Sequence, residues 1–219
     1  MRMPQLDARL QAVAALFTPC ETGADIGADH GKLSCYLLAH NICKKMIVTD
    51  ISAGSLSKAK QLLRKHDLEM RAVFCMGDGF SPLTQPVDCA AICGMGGKTM
   101  AGILNNAEEK LHNANLVLSS QTDIPLVRKT IQDIGYRITA EKIAYDAGRY
   151  YIVILAKPGR VQYLEKEIYL GPVLIQEKPE AWKDYLNWRL GVVSQEQGHE
   201  RQLEWIKEEL HEFDSQRCI

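Results

Sequence analysis

The chain has 219 residues, is 46% hydrophobic and carries a formal net charge of −1 at pH 7. That size and composition allow one substantial hydrophobic core, or one domain with an appendage. No apolar run reaches the ~20 residues that span a bilayer, and the N-terminus lacks a signal-peptide core, so we expect a cytoplasmic protein with no membrane partner.

The charge is unevenly distributed along the chain: residues 1–160 contain 19 basic and 15 acidic side chains, whereas residues 161–219 contain 7 basic and 12 acidic side chains. The mildly basic first part is compatible with a phosphate-rich partner.

Cysteine usage bears on the redox environment and on metal binding. None of the seven cysteines forms a CxxC pair, several fall in apolar strand patterns, and the six histidines share no ligand spacing with them. We therefore expect reduced, buried thiols, with neither disulfides nor a metal site. The cysteines are Cys20, Cys35, Cys43, Cys75, Cys89, Cys93 and Cys218.

The hydrophobic pattern of the first part predicts five strands alternating with helices, followed by a strand pair. An amphipathic helix over residues 1–17 comes first. Ser52 is a candidate N-cap for the helix after the second strand, and Pro125 suits the first turn of the helix after the fifth. The alternation predicts an α/β fold, a doubly wound Rossmann-like sheet in which the closing pair adds one reversed strand. The strands are predicted at residues 23–26, 46–49, 72–76, 87–93, 116–119, 137–144 and 150–156.

The composition changes after residue 160, where glycine becomes rarer and glutamate, glutamine and tryptophan become more frequent. Apolar residues at helical spacing predict helices at 179–193 and 198–213, which we expect to form an antiparallel helical hairpin. The predicted domains are therefore an α/β domain at 1–160 and a helical domain at 161–219. The helical domain is acidic, and it can grip phosphates only if its few basic residues share one face. Those residues are Lys183, Arg189, Arg201 and Lys207.

The stretch ADIGADHGKL, residues 24–33, is typical of a strand, a tight glycine turn and the start of a helix. A dinucleotide-binding turn would have glycine at position 29, where a pyrophosphate lies on bare backbone. This chain has Asp29 there, so a phosphate would meet like charge. Asp25 and Asp29 instead suit S-adenosylmethionine, which carries a sulfonium, an ammonium group and no phosphate. The simpler alternative is a glycine-rich turn whose aspartates cap the next helix.

Acidic or glycine-rich segments follow the next three strands, at the edge where open α/β sheets bind ligands. Asp50 ends the second strand, where a carboxylate can accept hydrogen bonds from ribose hydroxyls, and Asp78 after the third strand can accept from an adenine amino group. Residues 94–97, GMGG, provide a glycine-lined floor for a flat substrate. An aspartate after a strand is by itself more often a turn former. Four such strand ends in register are the layout of a class I S-adenosylmethionine-dependent methyltransferase.

These motifs resemble those of the bacterial TrmK family, the tRNA (adenine-22-N1)-methyltransferases. The family's Asp-x-Gly-x-Asp-His motif matches residues 25–30, its Gly-Asp-Gly matches 77–79 and its Gly-Met-Gly-Gly matches 94–97. GRYYIVILAKPG at 148–159 and a helical second part also fit, so the resemblance covers nearly the whole chain. It implies an enzyme that uses S-adenosylmethionine to methylate N1 of adenine 22 in tRNA.

The motifs and the resemblance together assign the site residues. Adenine N1 has a free lone pair, so the reaction needs positioning and stabilisation of positive charge and no strong base. Asp29, His30, Gly94 and Met95 are expected beside the methyl transfer. No metal is expected, and we expect a monomer acting on tRNA. The cofactor-binding residues are expected to be Arg9, Asp25, Gly27, Asp29, His30, Asp50, Ile51, Gly77, Asp78, Gly79, Gly94 and Met95.

Three other interpretations fit parts of the sequence. The first is a methyltransferase on the same scaffold that acts on another RNA base, a small molecule or a protein. The second is a cofactor- or RNA-binding module without catalysis, and the third is a nucleotide-dependent dehydrogenase, which Asp29 disfavours. Two stretches also differ from the pattern of the resembling family: residues 31–34 are GKLS, and residues 119–121 are SSQ.

Overall fold

The computed structural model describes residues 4–195 and 197–216. The chain divides into two compact units, one up to Val161 and one from Gln162 onward. The first unit contains a 7-stranded sheet in the order β3-β2-β1-β4-β5-β7-β6. The strands are β1 (Cys20–Ile26), β2 (Cys43–Asp50), β3 (Ala72–Met76), β4 (Cys89–Cys93), β5 (Asn115–Ser119), β6 (Tyr136–Asp146) and β7 (Arg149–Pro158).

The sheet confirms the predicted α/β topology. Strands β1 to β5 pair in parallel, and β7 pairs antiparallel with both β5 and β6. The central strands are buried on both faces, as expected where crossover helices cover a parallel sheet. Going across the sheet from β3, the strand direction therefore first reverses at β7, which lies next to β5.

Within the described residues, the first unit has six helices and a single 3-10 turn (Glu69–Arg71) before β3. The N-terminal helix is shorter than predicted, because Asp7 caps it by accepting a hydrogen bond from the Leu10 backbone N–H. Residues 4–6 precede the helix, and residues 1–3 of that prediction lie outside the described residues. The helices are α1 (Ala8–Leu16), α2 (Lys32–Ala39), α3 (Ala53–Lys65), α4 (Gly97–Asn105), α5 (Glu108–Leu111) and α6 (Ile124–Asp133).

Helix α6 is fastened to β6 by a buried ion pair. The Arg128 guanidinium Nε donates to Glu141 Oε1 at 2.8 Å, and both side chains are fully buried. A buried charge without its partner is strongly unfavourable, so replacing either residue alone is expected to destabilise the fold.

The cysteine prediction is partly wrong. The six cysteines in the described residues are free thiols, but Cys20, Cys75 and Cys93 are only partly buried, and Cys218 lies outside those residues. Cys20 is partly exposed because it begins β1 at the edge of the core. Its Sγ lies 3.5 Å from Cys43 Sγ, and that hydrogen bond lowers the pKa of Cys20.

The elements described in the second unit are all helices. They are α7 (Glu165–Leu170), α8 (Pro172–Glu177), α9 (Trp182–Val193) and α10 (Glu200–Gln216). Lys183 near the start of α9 pairs with Asp214 near the end of α10, so the two helices form the expected antiparallel hairpin. No helix of the described chain is both long and apolar enough to cross a membrane.

Several of the basic residues of the second unit that the sequence analysis considered for phosphate contact have partners within that unit. Lys183 pairs with Asp214, and Arg201 pairs with Glu165 at 2.5 Å. Arg189 donates to the Tyr169 hydroxyl at 2.7 Å. These pairs hold the helices of the unit together and reduce the positive charge that it presents.

Candidate active site

In the turn after β1, backbone N–H groups that a phosphate would need as donors are already hydrogen-bonded within the protein. The N–H groups of Gly27 and Ala28 both donate to the Thr49 carbonyl at 2.9 Å. The Asp29 N–H donates to a carboxylate oxygen of Asp50 at 3.0 Å. Because a pyrophosphate binds to free N–H groups at such a turn, this geometry is unsuited to a dinucleotide.

Asp50 connects two loops at the end of β2. Its Oδ2 accepts from the Asp29 N–H, and its Oδ1 accepts from the Ser52 N–H at 2.8 Å. Its own carbonyl accepts from the Gly77 N–H at 3.1 Å, which ties the end of β3 to the same point. An ionised carboxylate can accept about four hydrogen bonds, so Asp50 retains capacity for a ligand hydroxyl.

A pocket of about 360 Å³ opens at the carboxyl edge of the sheet, between α1, the turn after β1 and the end of β4. It has both acidic and basic side chains in its wall, which suits a zwitterionic ligand. Its lining residues are Asp7, Arg9, Leu10, Asp25, Gly27, Ala28, Asp29, His30, Lys32, Leu33, Cys93, Gly94 and Gln121.

Asp25 is the acidic group at the bottom of this pocket. It is 4% exposed, and burial raises its pKa from 3.8 to about 6. The Ser34 hydroxyl donates to Asp25 Oδ2 at 2.6 Å and opposes that rise. A buried carboxylate with a raised pKa in the wall of a pocket is a candidate for ligand binding.

Arg9 is a basic side chain in the wall of the same pocket. Its Nη1 is buried and has no hydrogen-bond partner among the described residues. The guanidinium lies against Gly94, where an added Cβ would come within 3.1 Å of Nη1, and Gly94 has φ +78°. Gly94 is therefore required both by its left-handed backbone and by the approach of Arg9. Arg9 also lies 5.6 Å from the centre of the Tyr151 ring.

The rim of the pocket carries Asp29 and His30. Asp29 adopts a left-handed backbone, φ 49°, and its side chain is 73% exposed. His30 Nε2 lies 3.5 Å from Asp29 Oδ1 and 3.2 Å from Lys58 Nζ. The three side chains form a mixed-charge group at the entrance.

The structure brings together half of the predicted site residues in the pocket wall and arranges the others beside it. Arg9, Asp25, Gly27, Asp29, His30 and Gly94 line the pocket. Met95 lies against Gly27, since its Cε would be 3.0 Å from a Cβ at that position. The remaining residues follow the ends of β2 and β3, where Ile51 is 74% exposed: Asp50, Ile51, Gly77, Asp78 and Gly79.

The sequence did not assign four further residues of the site. Ser34 is a buried serine in the first turn of α2. A serine in the first turn of the helix that follows an acidic strand end could have been predicted to contact that acidic residue. Gln121 follows β5 at the same edge, and its N–H donates to the Met95 carbonyl at 2.9 Å. Nothing in the sequence pattern distinguishes Asp7 or Lys32 from surface residues.

The sheet order, the acidic strand ends and the pocket define a class I methyltransferase. A methyltransferase-domain family matches residues 6–154. The tRNA (adenine(22)-N(1))-methyltransferase of Bacillus subtilis (strain 168) is 30% identical over 182 residues, covering 80% of this chain and 76% of that relative. The chain belongs to this TrmK family, as the motifs predicted.

Two solved structures show how far the likeness extends. The crystal structure of the B. subtilis m1A22 tRNA methyltransferase TrmK matches with a TM-score of 0.81 and 26% identity, covering 94% of this chain and 99% of that one. Streptococcus pneumoniae Sp1610, solved in complex with S-adenosyl-L-methionine, matches with a TM-score of 0.88 and 25% identity, covering 94% and 100%. The likeness therefore includes the helical second part.

Proposed function

We propose that this protein transfers a methyl group from S-adenosylmethionine to N1 of adenine 22 in tRNA. The observation that carries the proposal is the turn after β1, whose N–H groups are bonded to Thr49 and Asp50 while carboxylates surround it. That arrangement favours a cationic, phosphate-free cofactor over a dinucleotide. The relatives supply the substrate, since B. subtilis TrmK is an m1A22 tRNA methyltransferase.

The pocket matches the amino-acid end of the cofactor. Arg9 Nη1, buried and unpartnered among the described residues, would bind its carboxylate, and Asp25 would bind its ammonium group. Both contacts are charge-assisted and would be partly desolvated, which makes them strong. The opposite charges of the two side chains would also fix the orientation of the bound cofactor.

The neighbouring strand ends would hold the nucleoside end. Asp50 retains acceptor capacity for the ribose hydroxyls. Ile51, 74% exposed, offers an apolar face for the adenine ring, and Asp78, which is exposed, would accept from the adenine amino group. Gly77 and Gly79 flank Asp78, and an added Cβ would meet Pro82 at 3.0 Å or Ile103 at 2.9 Å, so packing requires glycine at both positions of this turn.

The reaction needs no base to start. S-adenosylmethionine would supply the methyl group. The lone pair of adenine N1 would bond to the methyl carbon while sulfur keeps the electron pair of the broken carbon–sulfur bond, so positive charge would pass to the adenine ring. Asp29 and His30 at the rim, with the backbone of Gly94 and Met95 as the floor, would orient the ring, and the Asp29 carboxylate would stabilise its developing charge.

Methylation of a tRNA transcript tests this function. The purified chain is incubated with isotopically labelled S-adenosylmethionine and a tRNA carrying A22, and with a matched tRNA carrying G22. We expect 1-methyladenosine at position 22 of the first RNA only, identified by mass spectrometry of nuclease fragments. Label on free adenosine, on proteins or equally on both RNAs would refute the assignment.

A separate experiment tests the expected oligomeric state. We propose that the enzyme acts in the cytoplasm as a monomer, because its tRNA substrate is found there and its site is formed by a single chain. Light scattering on the free protein and on its tRNA complex measures the number of chains. A complex with two chains per tRNA would contradict the monomer.

A further inference from the structure

The hairpin formed by β6 and β7 projects past the carboxyl edge of the sheet. The last paired residue of β5, Leu118, lies opposite Ile154, so the first residues of β7 continue beyond the end of β5. Four residues of strand at about 3.3 Å each give an overhang of about 13 Å. Arg149 at the start of β7 donates through Nη2 to the Gln121 carbonyl at 2.9 Å, which fixes the overhang beside the pocket.

The two faces of this overhang differ. Residues that pair directly across the hairpin share a face, so Tyr145 and Tyr150 lie on one face, and Arg149 lies on the other together with Tyr151. Tyr151 is flanked by Arg9 at 5.6 Å and Arg149 at 5.9 Å, measured to its ring centre. That face lies beside the pocket, because Arg9 is one of the residues that line it.

The other face carries an exposed aromatic ring. Tyr145 is 58% exposed and lies 4.7 Å, centre to centre, from the ring of Tyr150 at an angle of 50°. Of the phenylalanine, tryptophan and tyrosine side chains that the structure describes, only that of Tyr145 is exposed. A tilted pair supports the outer ring from behind and leaves its open face toward solvent.

An exposed aromatic ring beside a nucleic-acid site has a specific use. An enzyme that modifies a base must take it out of its stack, which also leaves its neighbours without a stacking partner. Unpaired bases in RNA commonly stack on tyrosine side chains. A base that stacks on a protein ring contributes about 1–3 kcal/mol to binding, with little dependence on its identity.

We propose that Tyr145, supported by Tyr150, is the stacking platform for an unpaired base next to the target adenosine. The inference rests on the proposed function, because it takes the substrate to be RNA whose target base lies at the rim of the pocket. It adds a specificity-determining residue outside the cofactor motifs. The platform favours RNA in which the neighbour of the target is free to leave its own stack.

Binding and methylation by Tyr145 variants test the platform. Tyr145→Ala removes the ring, Tyr145→Phe keeps it, and Met70→Ala alters a side chain that is 95% exposed beside β3, at the opposite end of the sheet. We expect Tyr145→Ala to raise the dissociation constant and KM for tRNA about tenfold or more. Tyr145→Phe and Met70→Ala should stay within about twofold of the wild type, and all variants should bind S-adenosylmethionine equally.

A fluorescent base analogue reports stacking directly. With 2-aminopurine on either side of the target nucleotide, we expect quenching on binding to the wild type and less quenching with Tyr145→Ala. Wild-type tRNA affinity in Tyr145→Ala, or an equal loss in Tyr145→Phe, overturns the platform. Absence of methyl transfer by the wild-type protein refutes the proposed function instead, and the binding and quenching results then still decide whether Tyr145 stacks on RNA.

Discussion

Replacing Asp25 by asparagine should separate the stability of the fold from its affinity for the cofactor. Burial raises the pKa of Asp25 from 3.8 to about 6. Below pH 3.8 the carboxyl group is neutral in the folded and the unfolded chain, so the raised pKa has no effect on stability. Above about pH 6 it is ionised in both, and the folded state carries a penalty of about 3 kcal/mol.

Asparagine removes that penalty and keeps an oxygen that can accept the Ser34 hydrogen bond. Its amide N–H₂ group needs new partners, so the net gain is smaller than the full penalty. We expect Asp25→Asn to raise the free energy of unfolding by about 1–3 kcal/mol at pH 8, or roughly 2–10 °C in Tm. The gain should shrink as the pH falls from 6 and vanish near pH 4.

The same change should weaken S-adenosylmethionine binding at pH 8 by about 100-fold, since truncating one partner of a buried charge pair costs about 2–5 kcal/mol. Thermal denaturation at pH 4, 6 and 8 and titration calorimetry measure the two effects. Asp67→Asn is the matched control, because Asp67 is exposed and asparagine tolerates its left-handed backbone, φ 58°. A lower Tm than the wild type at pH 8, or unchanged cofactor affinity, would refute the reasoning.

Four further substitutions test other parts of the structure. Gly97→Ala should destabilise the fold by about 1–3 kcal/mol, because a Cβ there would lie 2.5 Å from a carbonyl oxygen. Gly102→Ala in the same helix meets nothing within 4 Å and should stabilise it by about 0.5–1 kcal/mol in thermal melts. Glu141→Gln breaks the buried ion pair with Arg128 and should cost about 3–5 kcal/mol in urea denaturation. Ser34→Ala removes a hydrogen bond that lowers the pKa of Asp25. Cofactor affinity should rise with pH, and the midpoint of that rise should lie above the wild-type pKa of about 6, as measured by calorimetry from pH 5 to 8.

Each of these expectations has a clear contrary result. Equal melting temperatures for the two alanine variants of α4 would mean that the backbone near Gly97 yields at little cost. A Glu141→Gln protein as stable as the wild type would show that the buried arginine has adequate polar partners without that carboxylate. A pH midpoint unchanged by Ser34→Ala would separate cofactor binding from the ionisation of Asp25.

The sequence by itself determined the order and type of the main elements. Local hydrogen bonding and hydrophobic periodicity act over a few residues, so strand β3 and the N-cap at Ser52 could be predicted within the chain segment that forms them. The acidic residues at strand ends could also be assigned to one edge of the sheet, because the ends of parallel strands meet there. The short helices α5 and α8 were missed, since each is too brief to show a period.

Only the tertiary structure decided how the site residues meet. Whether the N–H groups of the first turn are free or bonded depends on Thr49 and Asp50, which are more than twenty residues away along the chain and reach the turn through the register of β1 and β2. The burial that raises the pKa of Asp25, and the approach of Arg9 to Gly94, likewise arise from packing between distant segments. Contacts of this kind have no local signature, because they depend on where the chain returns and not on its neighbouring residues.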